Sequence, residues 1–354
     1  MLKKTIRRLG ALAMVLAMAV SVFAVNASAV DDYGSSPVTQ MTITKNVPTG
    51  TKVYAPNTTF EFEVGAGEAG LTYAGLTYAG YDVIQGAASD WTMGPAVSVT
   101  KTSQAAEAAT GTTTMTLNRT YTAPGIYSYK VTEKAGDYDG IDYSTDVKDV
   151  LVFVEYDKDT GTYVVKKAVV VTIATTDGKK VATVAAAKSD LTFTNEYKTH
   201  KLTVKKKVEG NLGDRSKKFN FTITITPADK VVGEKYWVVP NDGDGYEVTT
   251  VANEDRTVTA TVTVELADAQ SVEIYGLSPE DSYDVTEAQT EYTISYDDYK
   301  SGAMGNADKE TTVTNTKEYD TPTGVIMTIA PYALMVVLAG AFAVVFLSRR
   351  NRAE

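Results

Sequence analysis

Apolar and polar residues alternate along most of the chain. Met41, Ile43 and Val47 share one parity, Phe60, Phe62 and Val64 repeat the pattern, and Met115 and Leu117 repeat it again. The same period of two runs through Leu151 and Phe153, through Tyr163 and Val165, and through Leu191 and Phe193. Successive side chains of an extended chain point to opposite faces, so each stretch predicts a half-buried β-strand. Thr, Val and Tyr, which suit a pleated surface, are frequent between these positions. Turn chemistry separates the strands at 157–161 (DKDTG), at Asp177 and Gly178, and at 241–245 (NDGDG). No long amphipathic helix is expected between the two ends. Short strands joined by regular turns predict an all-β protein with immunoglobulin-like β-sandwich architecture.

The ends break this pattern. Lys3, Lys4, Arg7 and Arg8 precede an apolar run over 9–25, and Ala27, Ser28 and Ala29 follow it. That order predicts a secretory signal peptide over 1–29, with a linker over 30–37 before the first strand. A second apolar stretch, 325–347, has about the length needed to cross a bilayer and predicts a transmembrane helix. The tail behind it, 348–354, carries Arg349, Arg350 and Arg352, which would hold it on the cytoplasmic side. Residues from about 30 to 320 are therefore expected outside the cell.

The middle of the chain repeats itself. MTITKNV at 41–47 returns as LTVKKKV at 202–208, YSYKVTE at 127–133 as SYDVTE at 282–287, and LTFTNEY at 191–197 as TVTNTKEY at 312–319. The repeat predicts two tandem sandwich domains, 38–198 and 199–317, joined by a link so short that they should sit end to end. The first copy is longer, partly through a local LTYAGLTYAG at 71–80 that reads as an elaborated loop.

Composition narrows the chemistry. The 354 residues carry a net charge of -10, one His and no Cys. An acidic chain without clustered cations offers no nucleic-acid surface. The absence of Cys removes disulfides, thiol catalysis and thiolate metal sites, and a single His200 leaves no multi-His metal site. NDGDG lacks the downstream acid of a calcium loop, Asp157 and Asp159 have no opposing carboxylate pair, and no glycine-rich phosphate loop opens a helix. Neither metal nor cofactor is expected.

Strand parity singles out six polar residues. Lys45 shares the face of Met41, Ile43 and Val47, and Lys206 shares that of Leu202, Val204 and Val208. Glu133 follows Tyr129 and Val131, Glu287 follows Tyr283 and Val285, Asn195 follows Leu191 and Phe193, and Asn315 follows Val313. Each copy thus aims an amine, a carboxyl and a carboxamide at its core, where an unpaired ammonium would be costly. Desolvation disfavours both ions, so a neutral amine could attack the carboxamide carbon while a protonated carboxyl polarises the carbonyl. Ammonia would leave and an amide crosslink remain. The alternative is a buried Lys–Glu ion pair capped by Asn, an arrangement with no clear gain in stability.

The chain resembles the backbone pilins of Gram-positive bacteria that carry the streptococcal pilin isopeptide-linkage domain. The resemblance rests on 202–225 (LTVKKKVEGNLGDRSKKFNFTITI), the two VTE segments, the TNEY and TNTKEY strands, and 320–332 (DTPTGVIMTIAPY), and it covers nearly the whole mature chain. It implies a Lys45–Asn195 isopeptide bond assisted by Glu133 and a Lys206–Asn315 bond assisted by Glu287, formed by the protein on itself rather than by turnover as an enzyme. It also implies that Asp320, Thr321, Pro322, Thr323 and Gly324 form a sortase signal, DTPTG, cleaved between Thr323 and Gly324. DTPTG departs from the usual LPxTG form and carries Thr321 where the family often has Val. The family's acceptor lysine corresponds to Lys188, with Lys179 and Lys180 as competitors. The implied partners are identical pilin subunits in a covalent polymer, a pilus sortase, tip and base pilins, and the membrane before sorting. The implied place is the cell surface. A monomeric wall-anchored adhesin with the same crosslinked domains is the alternative reading, and a membrane-anchored enzyme or sensor ectodomain would need a polar pocket outside the two triads.

Overall fold

The computed structural model describes residues 38–74, 82–183, 191–241, 243–288, 291–319 and 323–350. The predicted signal peptide and linker, Lys188, and the first three residues of the sorting signal lie outside them. Two β-sandwiches follow one another along the chain.

In the first, a four-stranded sheet has the order Leu191–Thr194, Gln40–Pro48, Ala108–Leu117, Trp91–Met93. It faces a seven-stranded sheet that begins at its edge with Phe62–Ala66 and continues through Gly125–Glu133, Val147–Asp157 and Thr162–Thr176. Ile43, Val47, Phe60, Met115, Tyr129, Val131 and Phe193 fill the space between the sheets. Each such side chain contributes about 1.5–3 kcal/mol on leaving water.

Residues 150–154 (VLVFV) are all buried, because this strand is covered on both faces. Val150, Val152 and Val154 enter the main core, while Leu151 and Phe153 enter a second one with Leu71, Tyr73, Ile126 and Val171. The start of the LTYAG repeat is therefore not a loop. Leu71–Tyr73 is a strand, parallel to Lys179–Thr183, with Leu71 and Tyr73 buried against Phe153 and its neighbours. Residues 75–80 of that repeat are outside the described set.

In the second sandwich a six-stranded sheet, in the order Tyr246–Thr249, Lys235–Pro240, Ser271–Leu277, His200–Glu209, Lys309–Thr316, Thr293–Tyr296, faces a five-stranded one centred on Phe219–Thr226. Leu202, Val204, Phe221, Ile223, Tyr236, Val262, Ile274 and Val313 form its core.

The sandwiches meet through polar contacts. Tyr138 donates to Glu234 Oε1 at 3.0 Å, the Asp139 backbone N–H to Asp229 at 2.9 Å, and the Glu280 backbone N–H to Asp139 at 2.8 Å. Gly140 has φ +77°, and a Cβ there would lie 2.5 Å from the Lys198 carbonyl oxygen, so the crossing point requires glycine.

Strand direction sets the poles of the molecule. His200–Glu209 leaves the domain junction, and Lys309–Thr316 runs parallel to it, so the chain exits the second sandwich at the end remote from the first. Leu191–Thr194 and Gln40–Pro48 are likewise parallel, so Leu191 starts at the end of the first sandwich remote from the second.

A helix, Thr323–Arg350, follows, interrupted in sequence by Pro331. Leu334, Val336, Val337, Phe342, Val344 and Phe346 are all exposed on it. Among the described residues no helix is long and apolar enough to cross a membrane. The side chains of 323–330, which open the predicted span, are outside the described set.

Candidate functional site

The first and last strands of each sandwich are parallel neighbours, and their registers coincide. Lys45 lies opposite Phe193 and Lys206 opposite Val313, so in each domain the Asn stands two residues beyond the Lys partner and on the same face. The Glu comes from the opposing sheet, where Glu133 pairs with Phe62 and Glu287 with Phe221. Strict alternation in these strands is what carries three polar side chains into two apolar cores.

Lys45 Nζ lies 2.7 Å from Glu133 Oε2, and Asn195 Nδ2 donates to Glu133 Oε1 at 2.6 Å. In the second domain Lys206 Nζ lies 3.0 Å from Glu287 Oε2, and Asn315 Nδ2 donates to Glu287 Oε1 at 2.5 Å. The side chains of both Lys–Glu pairs are 0% exposed. Burial lowers the pKa of Lys45 and of Lys206, and the neighbouring Glu opposes that shift without cancelling it. One carboxylate therefore bridges an amine and a carboxamide in a dry site, and can take a proton from one and return it to the other.

Aromatic rings wall the amines. Lys45 Nζ sits 4.6 Å from the centre of the Phe60 ring, and Lys206 Nζ 4.5 Å from that of Phe219. Nothing in the sequence marks these rings as walls, although a Phe-x-Phe pattern recurs at Phe60 and Phe62 and at Phe219 and Phe221, with the second Phe of each pair beside a Glu.

The two sites differ at the carboxamide oxygen. The Ser144 backbone N–H donates to Asn195 Oδ1 at 2.8 Å. Asn315 Oδ1 is buried and has no hydrogen-bond partner among the described residues.

The other sequence candidates stand apart from both sites. Lys188, Asp320, Thr321 and Pro322 are outside the described residues, and Thr323 and Gly324 begin the C-terminal helix. Lys180 is exposed and ion-paired with Glu68, and Lys179 is exposed on the same strand. His200 Nδ1 lies 3.8 Å from Asp308.

Residues 200–317 match a family described as a domain of unknown function, DUF7601. A protein named "Pilin" from Streptococcus pyogenes serotype M1 is 32% identical over 269 residues, spanning 66% of this chain and 69% of that one. The crystal structure of the major pilin from Streptococcus pyogenes superposes with a TM-score of 0.51 at 24% identity, covering 80% of this chain and 100% of that one. The T3.2 major pilin of the same species gives a TM-score of 0.55 at 21% identity, covering 80% and 99%. At these identities the two structures are alike in fold.

Proposed function

Because the chain belongs to the pilin family, we propose that it is the shaft subunit of a covalently polymerised cell-surface pilus, in which each domain first crosslinks itself. The observation that carries this reading is the same Lys–Glu–Asn triad at the same strand register in both dry cores.

The self-crosslinking proceeds in three movements. Lys45 passes a proton to Glu133 across their 2.7 Å contact, leaving a neutral amine. The amine attacks Asn195 Cγ and forms the new C–N bond. Glu133 then returns its proton to the departing nitrogen, the old C–N bond breaks and ammonia leaves, while the freed carboxylate takes the surplus proton from the attacking nitrogen. One amine and one carboxamide thus become one secondary amide and one ammonia. Lys206, Glu287 and Asn315 repeat the sequence. Ring walls at Phe60 and Phe219 keep water out, which sustains the lowered amine pKa.

Polymerisation follows from the poles. A sortase would cleave after Thr323 and transfer that acyl group to an amine on the next subunit, with Lys188 as the assigned acceptor. The last strand of the second sandwich exits at the pole opposite Leu191, the residue that opens the strand following Lys188. Donor and acceptor at opposite ends produce a head-to-tail chain that does not close. The apolar, outward-facing helix and its arginines would hold the precursor at the membrane until then.

Intact mass tests the first stage. Chain made without sortase should be two ammonia molecules lighter than its sequence, with the losses mapped to Lys45–Asn195 and Lys206–Asn315. A full mass would reduce the triads to buried polar clusters. Addition of a pilus sortase tests the second stage, through a ladder of multimers that survives boiling in detergent and disappears with Lys188→Ala. A chain that crosslinks internally but gives no ladder would be a wall-anchored adhesin.

A further inference from the structure

If the two triads react as proposed above, they are not equivalent catalysts. We propose that the Ser144 backbone N–H is an oxyanion donor present in the first domain only, and that the Lys45–Asn195 bond consequently forms ahead of the Lys206–Asn315 bond.

The geometry is specific to the carboxamide oxygen. In the first domain the oxygen of Asn195 accepts from Ser144 N–H at 2.8 Å and its nitrogen donates to Glu133 at 2.6 Å. Those two contacts fix which way the amide faces, leaving the oxygen on a donor and the leaving nitrogen on the proton carrier. When the Lys45 amine adds to Cγ, the electron pair of the C=O bond moves onto that oxygen. A backbone N–H already aimed at it needs no rearrangement to hold the charge. Collapse of the intermediate restores the C=O bond and expels the nitrogen, which leaves as ammonia with the proton from Glu133.

In the second domain the corresponding oxygen, Asn315 Oδ1, is buried with no partner among the described residues, although its nitrogen meets Glu287 at 2.5 Å in the same way. The cause is in the connections. Glu133 and Asn195 are 62 residues apart in sequence, Glu287 and Asn315 only 28. The longer connection contains Ile141–Asp142, which pairs with Glu196–Tyr197 and delivers the unladdered N–H of Ser144 beside Asn195. In the second domain that flank is occupied by Thr293–Tyr296, a ladder strand that lies directly against Asn315 through Ile294.

Removing a single oxyanion donor slows acyl transfer by about 10²–10³-fold in established cases. A more modest advantage, on the order of tenfold or more, is expected here because the second site retains its carboxyl.

The test follows the two bonds separately. Full chain recovered unfolded and uncrosslinked is diluted into detergent buffer, quenched at intervals, digested, and the two crosslinked peptides quantified. Trp91 and Trp237 lie one in each sandwich, so single Trp→Phe variants report when each domain has folded. The expected result is that, once both have folded, Lys45–Asn195 accumulates at least about tenfold faster. Ser144→Pro, which removes the N–H, should slow the first bond only. Equal rates, or a faster second bond, in the unaltered chain would overturn the proposal even if Ser144→Pro does not fold. Absence of both bonds would instead overturn the crosslinking reading on which it rests.

Discussion

Lys45 and Glu133 come from opposing sheets of the first sandwich, yet their charged atoms meet at 2.7 Å with both side chains fully buried. Lys206 and Glu287 repeat the meeting at 3.0 Å in the second. An ion pair so placed gains little over an apolar pair of the same volume, because both groups lose their hydration. The proposed reaction would resolve the conflict by converting the amine and carboxamide into a neutral amide.

Removing the proton carrier should therefore uncouple the domains. Glu133→Ala is expected to retain the mass of one ammonia, assigned to the first domain, and Glu287→Ala the same for the second. A double variant should have the full calculated mass. Two bonds in either single variant would exclude Glu from the reaction.

Loss of a bond should be felt in stability. The proposed Lys45–Asn195 and Lys206–Asn315 links would each close a long loop, for which constraint of the unfolded chain is worth about 4–5 kcal/mol. Asn315→Ala should lower the second domain's unfolding free energy by about that amount, with the cost of the altered core in addition, and leave the first domain's transition in place. Denaturant titrations that resolve Trp91 from Trp237 fluorescence would measure it.

The aromatic walls make a separate prediction. Phe219→Ala should destabilise the second sandwich by about 3–5 kcal/mol through the cavity it leaves, and also admit water to Lys206. Bond formation there should slow, while Phe219→Leu, which keeps most of the volume, should lose less. An unchanged rate in folded Phe219→Ala would remove the ring from the reaction.

The domain junction should respond to pH. Burial, reinforced by Asp281, Asp229 and Asp139, raises Glu234 to about 8, and burial raises Asp281 to about 6. Tyr138, Tyr197 and Tyr236 are the other titratable groups facing them, and among the described residues no ion pair reaches either carboxyl. A raised acid stabilises the closed junction in its protonated form. That contribution is complete below the ordinary Glu range, falls as pH rises through it, and is gone above about 8. Opening should increase up to about tenfold per pH unit across that window. Since the chain has no Cys, spin labels on Thr160→Cys and Thr222→Cys would report it as a broadened distance distribution, and Glu234→Gln should stay narrow.

Parity made the triads legible in the sequence, because Lys45, Lys206, Glu133, Glu287 and Asn315 lie in strands and Asn195, in the one-residue break after Leu191–Thr194, keeps that strand's alternation. The outer layer of the first domain was harder to see. An uninterrupted apolar run at 150–154 signals burial on both faces, but nothing local says that Leu71 and Tyr73 supply the second cover. Ser144 leaves no trace in the sequence, since a backbone N–H belongs to almost every residue and only the fold aims it. Glu234 and Asp281 resemble surface acids in the sequence, and only the fold shows that both are buried.

The parallel alignment of first and last strands has a mechanical consequence once the bonds exist. Tension applied at the two ends of the chain would enter the first sandwich at Lys45, cross to Asn195 through the amide, and leave toward Lys206, then cross again to Asn315. Residues 46–194 and 207–314 would hang beside the path of the load rather than in it. A subunit pulled by its two ends would stretch by deforming covalent geometry and the short link between domains, and its β-sheets would have no part in bearing the force; in the proposed polymer, where the load would enter at Lys188, only the Lys206–Asn315 amide lies on that path.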